Sequence, residues 1–202
     1  MNFLMLYQTR SEIKNFTDGS DDLIARAQSG DDKAFGVIFE RHSRFVYKVI
    51  YAMLGERGAA EDLTQETFLA AYKSIHGLRG EAHLRTWLCG IAKNIVYKSF
   101  RTLRKQVLND GAEIESLNAA DDKNPAPDEE FLSKELNHFI GSALAKLDAD
   151  KRLVFTLKEL QHLSYKEISE ITGLSVPKLK TDLRRAKIEM RRALQPYLET
   201  KQ

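Results

Sequence analysis

From Asp21 to Lys105 apolar residues recur at three- and four-residue steps with almost no period-two alternation, which predicts helices and no strands. After Asp32, one face collects Phe35, Ile38, Phe39, Val46, Val49, Ile50 and Met53, and Gly55 and Gly58 are placed to end that helix. A second helix is expected from about Ala60, with Glu61 and Asp62 in its first turn, where carboxylates suit the helix dipole. Leu63, Phe68, Tyr72 and Ile75 form its apolar side, and His76, Gly77 and Gly80 break it. A third helix, from about His83, turns Leu84, Leu88, Ile91 and Ile95 inward, while Lys93, Tyr97, Arg101 and Lys105 recur every four residues on another face.

Between Val107 and Glu130 the pattern lapses, and two of the four prolines, Pro125 and Pro127, fall there, which is the composition of a linker. Helical signals return from Phe131 to Lys146, and Asp148 is placed as an N-cap before Leu153, Val154, Leu157 and Leu160. The expected fold is all-α: two small helical domains joined by a flexible acidic linker. The expected division is an N-terminal extension (1–20), a first helical domain (21–106), the connector (107–130) and a second helical domain (131–202).

The most specific local pattern is LSYKEISEITGLSVPKLKTDLRRAK, Leu163 to Lys187. Ser164 can cap a short helix carrying Ile168 and Ile171, Gly173 can take the positive φ of a tight turn, and Ser175 can cap the next helix. Pro177 falls in that helix's first turn, where its missing N–H costs nothing. This is a helix-turn-helix. Its second helix turns Val176, Leu179, Leu183, Ala186, Met190 and Leu194 inward and leaves Lys178, Lys180, Thr181, Arg184 and Arg185 for a major groove.

Charge sharpens the picture because its sum, +2, hides three blocks. Arg79 to Lys105 holds seven basic residues against Glu81; Val107 to Glu135 holds nine acidic residues against Lys123 and Lys134; Lys178 to Arg192 holds seven basic residues against Asp182 and Glu189. Two basic helical surfaces flanking an acidic connector point to a polyanion touched at two places. At 202 residues with 43% hydrophobic composition the chain can bury a core but is too short for a large multidomain enzyme. Cys89 is the single cysteine, so no intramolecular disulfide forms, and a reducing compartment, the cytoplasm, is expected. Phe3 to Tyr7 is too short for a membrane span and lacks the flanks of an export signal. His42, His76, His83, His138 and His162 show no metal-ligand spacing, and no Walker-type glycine loop is present, so no catalytic residue, metal or cofactor is expected.

Several segments resemble one family in order and spacing: Ala60-Glu61-Asp62-Leu63 and Gln65-Glu66-Thr67-Phe68, Thr86-Trp87-Leu88, Ile91-Ala92-Lys93-Asn94, then Glu167-Ile168 with the helix-turn-helix. They resemble the bacterial RNA polymerase sigma factors of the extracytoplasmic-function group, over about residues 21 to 198. The resemblance implies that 21–106 is region 2, which binds core polymerase and recognises and melts the −10 element, and that 131–202 is region 4, which reads the −35 element. It implies that Glu61, Asp62, Gln65 and Glu66 dock on the clamp coiled coil of the polymerase's largest subunit, region 4 meeting the polymerase flap. The loop Ile75 to Ala82, with His76, Gly77 and Arg79, would capture a flipped base, and Asn94, Lys98, Arg101 and Arg104 would line the non-template strand. Lys178, Lys180, Thr181, Arg184 and Arg185 would contact duplex −35 DNA. By the family's pattern Trp87 is more often packed in the helix core than stacked on a base, and Cys89 reads as a small packed hydrophobe rather than a redox switch.

The sequence departs from the family's usual pattern at Asp182 and at Pro177-Lys178, so the promoter sequence does not carry over; an aspartate there either accepts from cytosine or points away. The resemblance further implies control by an anti-sigma factor. The connector reads either as a strand threaded through the polymerase or as a soluble spacer. The competing reading of the whole chain is a self-contained helix-turn-helix regulator binding an operator unaided, which leaves the acidic ridge and the first basic surface without a use.

Overall fold

The protein's structure, a computed structural model, describes residues 20–78, 84–110 and 138–199. Every regular element among them is helical. α1 (Ser20–Gln28) leads into α2 (Asp32–Leu54), where Asp31 accepts from the Lys33 and Ala34 amides at 3.0 and 3.1 Å and so satisfies two donors the helix leaves open. Gly55 closes α2 at φ +74°, a left-handed conformation that a residue with a Cβ adopts only under strain.

α3 (Arg57–Ser74) starts earlier than its sequence signals suggest. Glu56 takes the N-cap position and accepts from the Gly58 and Ala59 amides at 2.6 and 2.5 Å. Gly58 therefore lies inside the first turn instead of ending α2, and Glu61 and Asp62 fall in the second turn. Glutamate is an uncommon cap, so the sequence pattern does not mark this start. A 3₁₀ turn, Ile75–Gly77, follows, and α4 (Leu84–Asp110) runs past residue 106 into the segment read as connector. The remainder of that connector, residues 1–19 and His83 lie outside the described residues.

The second half begins with α5, helical over 138–145. α6 (Ala149–Phe155) is capped by Asp148, whose carboxylate accepts from the Lys151 amide at 2.9 Å, and continues through a π-turn, Thr156–Leu160. α7 (Tyr165–Thr172) and α8 (Val176–Glu199) complete the chain.

The apolar stripes interlock α2, α3 and α4 around Ile38, Val46, Ile50, Met53, Phe68, Ala71, Leu88 and Val96. Each of these side chains apart from Ala71 contributes roughly 1.5–3 kcal/mol by leaving water. Trp87 packs half-buried against this core. Cys89 is buried within it, and burial pushes its thiol up to about 12, far from a reactive thiolate. The core does not stop at the first half. Leu153, Val154, Leu157, Leu163, Ile168, Ile171 and Leu179 join the same cluster, so α6 and α7 pack on α2 and α4. A second, smaller cluster joins α5 to α8 through Ile140, Leu144, Leu147, Met190 and Leu194.

Among the described residues, polar contacts also cross this seam. Arg152 donates from Nη1 to the Met53 carbonyl at 2.6 Å, and Arg85 from Nη2 to the Gln161 carbonyl at 3.2 Å. Lys93 donates from Nζ to the Ile171 carbonyl at 2.8 Å, and the Tyr97 hydroxyl to Asp150 Oδ1 at 2.7 Å.

Half-buried His42 on α2 gives the fold a pH dependence. Burial first, then the charges of Arg85 and Arg41, hold its imidazole down at about 4, whereas in the unfolded chain it titrates near 6.5. Its contribution is therefore complete above about pH 6.5 and is lost as pH falls toward about 4, on the order of 1–3 kcal/mol in all. Urea unfolding followed over that range should show the loss in the native chain and a flatter profile in His42→Gln; equal slopes would remove His42 as the cause.

Candidate nucleic-acid and protein interfaces

The helix-turn-helix is built by local chemistry. Ser164 accepts from the Glu167 amide at 3.2 Å while Glu167 Oε2 accepts from the Ser164 amide at 2.7 Å, a reciprocal cap that starts α7. Gly173, at φ +74°, ends α7, and Ser169 donates to the Leu174 carbonyl at 2.7 Å across the turn. Ile168 and Ile171 then meet Leu179 and Leu183, fixing α8 against α7. Lys151–Glu189 and Lys187–Glu159 pairs, at 2.8 and 2.9 Å, tie α8 to the α6 segment.

With its apolar stripe so committed, α8 exposes Lys178, Lys180, Thr181, Arg184 and Arg185 together. The Thr181 hydroxyl donates to the Pro177 carbonyl at 3.0 Å. Asp182 resolves the two options open to it in the sequence: it is 2% exposed and points away from this face. Lys178 Nζ donates to both its carboxylate oxygens at 2.6 Å, so one basic residue of the row neutralises the buried acid.

On the first half, α4 exposes Asn94, Lys98, Arg101 and Arg104 along one side. Lys98 lies 3.9 Å from Glu66 of α3, an exposed pair of small energetic weight. His76 and Gly77 are exposed on the 3₁₀ turn, and Arg79 lies outside the described residues. The start of that loop is anchored by a residue the sequence pattern did not single out. Gln28 Nε2, at the end of α1, donates to the Ile75 and Leu78 carbonyls at 3.0 and 2.6 Å.

Glu61, Asp62, Gln65 and Glu66 are exposed together on α3. Arg57 donates from Nε to Glu61 at 3.0 Å, and a groove of about 340 Å³ between α2 and α3 is lined by Arg44, Tyr47, Glu61 and Gln65. Beside this ridge Leu69, Tyr72 and Phe39 are exposed, Leu69 by 62%. Phe39 and Tyr72 read as core positions in the sequence; instead their rings edge onto Phe68 and Phe35 at centroid distances of 4.9 and 5.0 Å and leave an aromatic surface open. Leu69 was legible: three residues after Glu66 and four after Gln65, it falls on the ridge by helical spacing.

An acidic ridge, a basic helix beside an anchored loop, and a helix-turn-helix with a free basic face thus stand on one chain. Residues 38–106 match the Sigma-70 region 2 family and residues 140–190 match Sigma-70 region 4. The chain is 30% identical over 181 residues to the ECF RNA polymerase sigma-E factor of Haemophilus influenzae, covering 87% of this chain and 95% of that one. It belongs to the extracytoplasmic-function sigma factors. A second relative, the RNA polymerase sigma-H factor of Pseudomonas aeruginosa, is 28% identical and covers 87% of this chain and 94% of its own. The fold is shared with the sigma factor RpoE of Bartonella quintana, solved with the anti-sigma factor NepR, at a TM-score of 0.67 and 24% identity, over 81% of this chain and 98% of that one. As a sigma factor the protein serves RNA polymerase in transcription initiation at promoter DNA. Among the described residues no helix of this sigma factor is long and apolar enough to cross a membrane.

The buried acid of α8 makes a prediction. Lys178→Ala leaves the Asp182 carboxylate buried without its ion pair and should destabilise the protein by about 1–3 kcal/mol. Lys180→Ala, on the exposed side, should stay within about 0.5 kcal/mol. Denaturant midpoints of the two variants give the comparison, and equal midpoints would mean that the pair does not hold the helix.

Proposed function

We propose that this sigma factor divides its work between its two helical halves. The exposed acids Glu61, Asp62 and Glu66, with Gln65, dock on the clamp coiled coil of core polymerase, and Phe39, Leu69 and Tyr72 extend that docking surface with apolar contact. His76, Gly77 and Arg79 capture a base extruded from the −10 element, and Asn94, Lys98, Arg101 and Arg104 carry the non-template strand. Extrusion costs a few kcal/mol, which backbone contacts along α4 offset. Lys178, Lys180, Thr181, Arg184 and Arg185 enter the major groove of the −35 element, and region 4 meets the polymerase flap. The protein works in the cytoplasm, contributes no catalytic residue of its own, and is held in check by an anti-sigma factor, as NepR is bound to RpoE in the similar fold.

The single observation that carries this reading is the row of five exposed polar and basic residues on a helix whose opposite stripe is fully committed to the core. Lys178 of that row also neutralises the buried Asp182, whereas Arg184 and Arg185 are exposed with no such task in the fold among the described residues. The testing experiment is transcription in vitro from fragmented genomic DNA of the source bacterium, with core polymerase in the presence and absence of the protein, mapping RNA starts. New starts sharing two upstream elements are expected. Arg184→Ala with Arg185→Ala should lower promoter-dependent initiation at least about ten-fold, since each base or phosphate contact is worth roughly 1–3 kcal/mol, while leaving core-polymerase binding unchanged. No new starts, together with tight binding of the protein alone to duplex DNA, would favour a self-contained regulator.

A further inference from the structure

We propose that the DNA contact of α8 does not end with the helix-turn-helix: two turns further on, Arg191 and Arg192 hold the phosphodiester strand that borders the major groove. This rests on the reading of α8 as the −35 helix and adds anchors that carry no sequence information.

α8 is long for the groove it would enter. It runs 24 residues, about 36 Å at about 1.5 Å per residue, whereas a major groove is about 12 Å wide. Lys178 to Arg185, the stretch assigned to the groove, uses only its first half. The second half is fixed by packing: Ala186, Met190 and Leu194 are buried against Ile140, Ala143 and Leu144 of α5, which sets the side that the helix turns to solvent. At steps of three and four residues that side carries Thr181, Arg184, Ile188 and Arg191, with Arg185 and Arg192 flanking them, all exposed.

Charge decides what this side meets. Both acids of α8 whose side chains are described are turned off it: Asp182 is buried with Lys178, and Glu189 is half-buried with Lys151 at 2.8 Å. Lys187 is taken by Glu159 at 2.9 Å. Among the described residues Arg191 and Arg192 form no ion pair. Two unneutralised guanidiniums in line with Arg184 and Arg185 are complementary to a polyanion, and the polyanion that a sigma factor meets is promoter DNA. Arg191 lies about 10 Å beyond Arg184 along the helix axis. With Arg184 and Arg185 at base edges it falls at the bordering backbone, out of reach of the bases. There a planar guanidinium pairs with phosphate oxygens through two parallel hydrogen bonds. Ile188, exposed between the two arginine pairs, has no polar side-chain atom, so the row divides into a pair that reads bases and a pair that holds the strand.

The test uses holoenzyme, core polymerase loaded with the full chain, and two fluorescein-labelled duplexes: a promoter mapped by its RNA start, and the same duplex with its −35 element scrambled. Binding is read by anisotropy between about 50 and 200 mM salt. Arg191→Ala with Arg192→Ala should weaken both duplexes by the same factor at the lower salt. It should also flatten the salt dependence, native holoenzyme losing about ten-fold more affinity over that range than the variant, as expected for two phosphate contacts. Arg191→Lys with Arg192→Lys keeps both charges and should keep the native salt dependence; a lysine pair as flat as the alanine pair overturns the anchors. An unchanged salt dependence in the alanine pair overturns them too, and if core-polymerase binding falls at the same time the two arginines belong to the polymerase instead. A loss confined to the intact −35 element overturns them as well, since the pair would then read bases. Arg184→Ala with Arg185→Ala separates the two ideas, because it should reduce the preference for the intact element over the scrambled one. If it does so while Arg191→Ala with Arg192→Ala changes nothing, the −35 reading stands and the anchors fail; if it leaves the preference unchanged, the reading fails and the anchors with it.

Discussion

Arg152 holds the molecule together at its least comfortable point. Its side chain is 8% exposed, and its guanidinium donates to the Met53 carbonyl at the end of α2 and to the Ala145 and Leu147 carbonyls around the turn after α5. Helix ends leave carbonyls without partners, and burying them is costly unless a donor reaches them. A planar five-donor group supplies three such bonds at once, which a lysine in the same place would do less well. The end of α2, the turn after α5 and the start of α6 are thereby fixed with respect to one another. The position of α8, packed on α6, follows from that fixed frame, and α7 is held between α4 and α8.

Because α6 is fixed against α2, α4 is drawn into two roles. One stripe, Leu84, Leu88, Ala92 and Val96, closes the three-helix core with α2 and α3. A second side meets α7 through Lys93 and turns Tyr97 toward Asp150, and only the remainder, with Lys98, Arg101 and Arg104, faces solvent. In a helix of 27 residues the basic positions are therefore divided between internal and external partners. On α8 the division is smaller: Lys178 pairs with Asp182, while the opposite stripe is absorbed by Ile168, Ile171 and α5 and leaves Arg184 and Arg185 exposed.

Most of the helical order was legible because it is set by local physics. Asp31, Asp148 and Ser164 cap where their spacing to the next apolar run says they should, and Gly55 and Gly173 take the positive φ that stops a helix. Errors arose where a local signal was weak or a tertiary contact decided. Glu56 is an unusual cap, so α3 was started three residues late. Phe39 and Tyr72 share the apolar spacing of their neighbours, yet the rings of Phe68 and Phe35 fill the space between α2 and α3 first and leave them outside. No periodicity distinguishes an apolar position that meets a partner helix from one that reaches past it. Asp182 was ambiguous for a related reason: at its place in α8 only the tertiary packing says that it points inward.

The contacts across the seam were not legible at all, because Arg85, Lys93, Asp150 and Arg152 each bond to a backbone carbonyl or a side chain far away in the chain. Yet their chemistry carries a bias that the sequence does contain. The acids counted in the connector and the basic blocks on either side have opposite sign, so the chain carries its own counter-charge beside its basic helices in the sequence. Asp150 beside Tyr97 and Asp182 beneath Lys178 apply that bias at single residues. In the first case the acid is exposed at the surface of the seam; in the second it is buried under the helix, where its charge, met by Lys178, supports α8 from within.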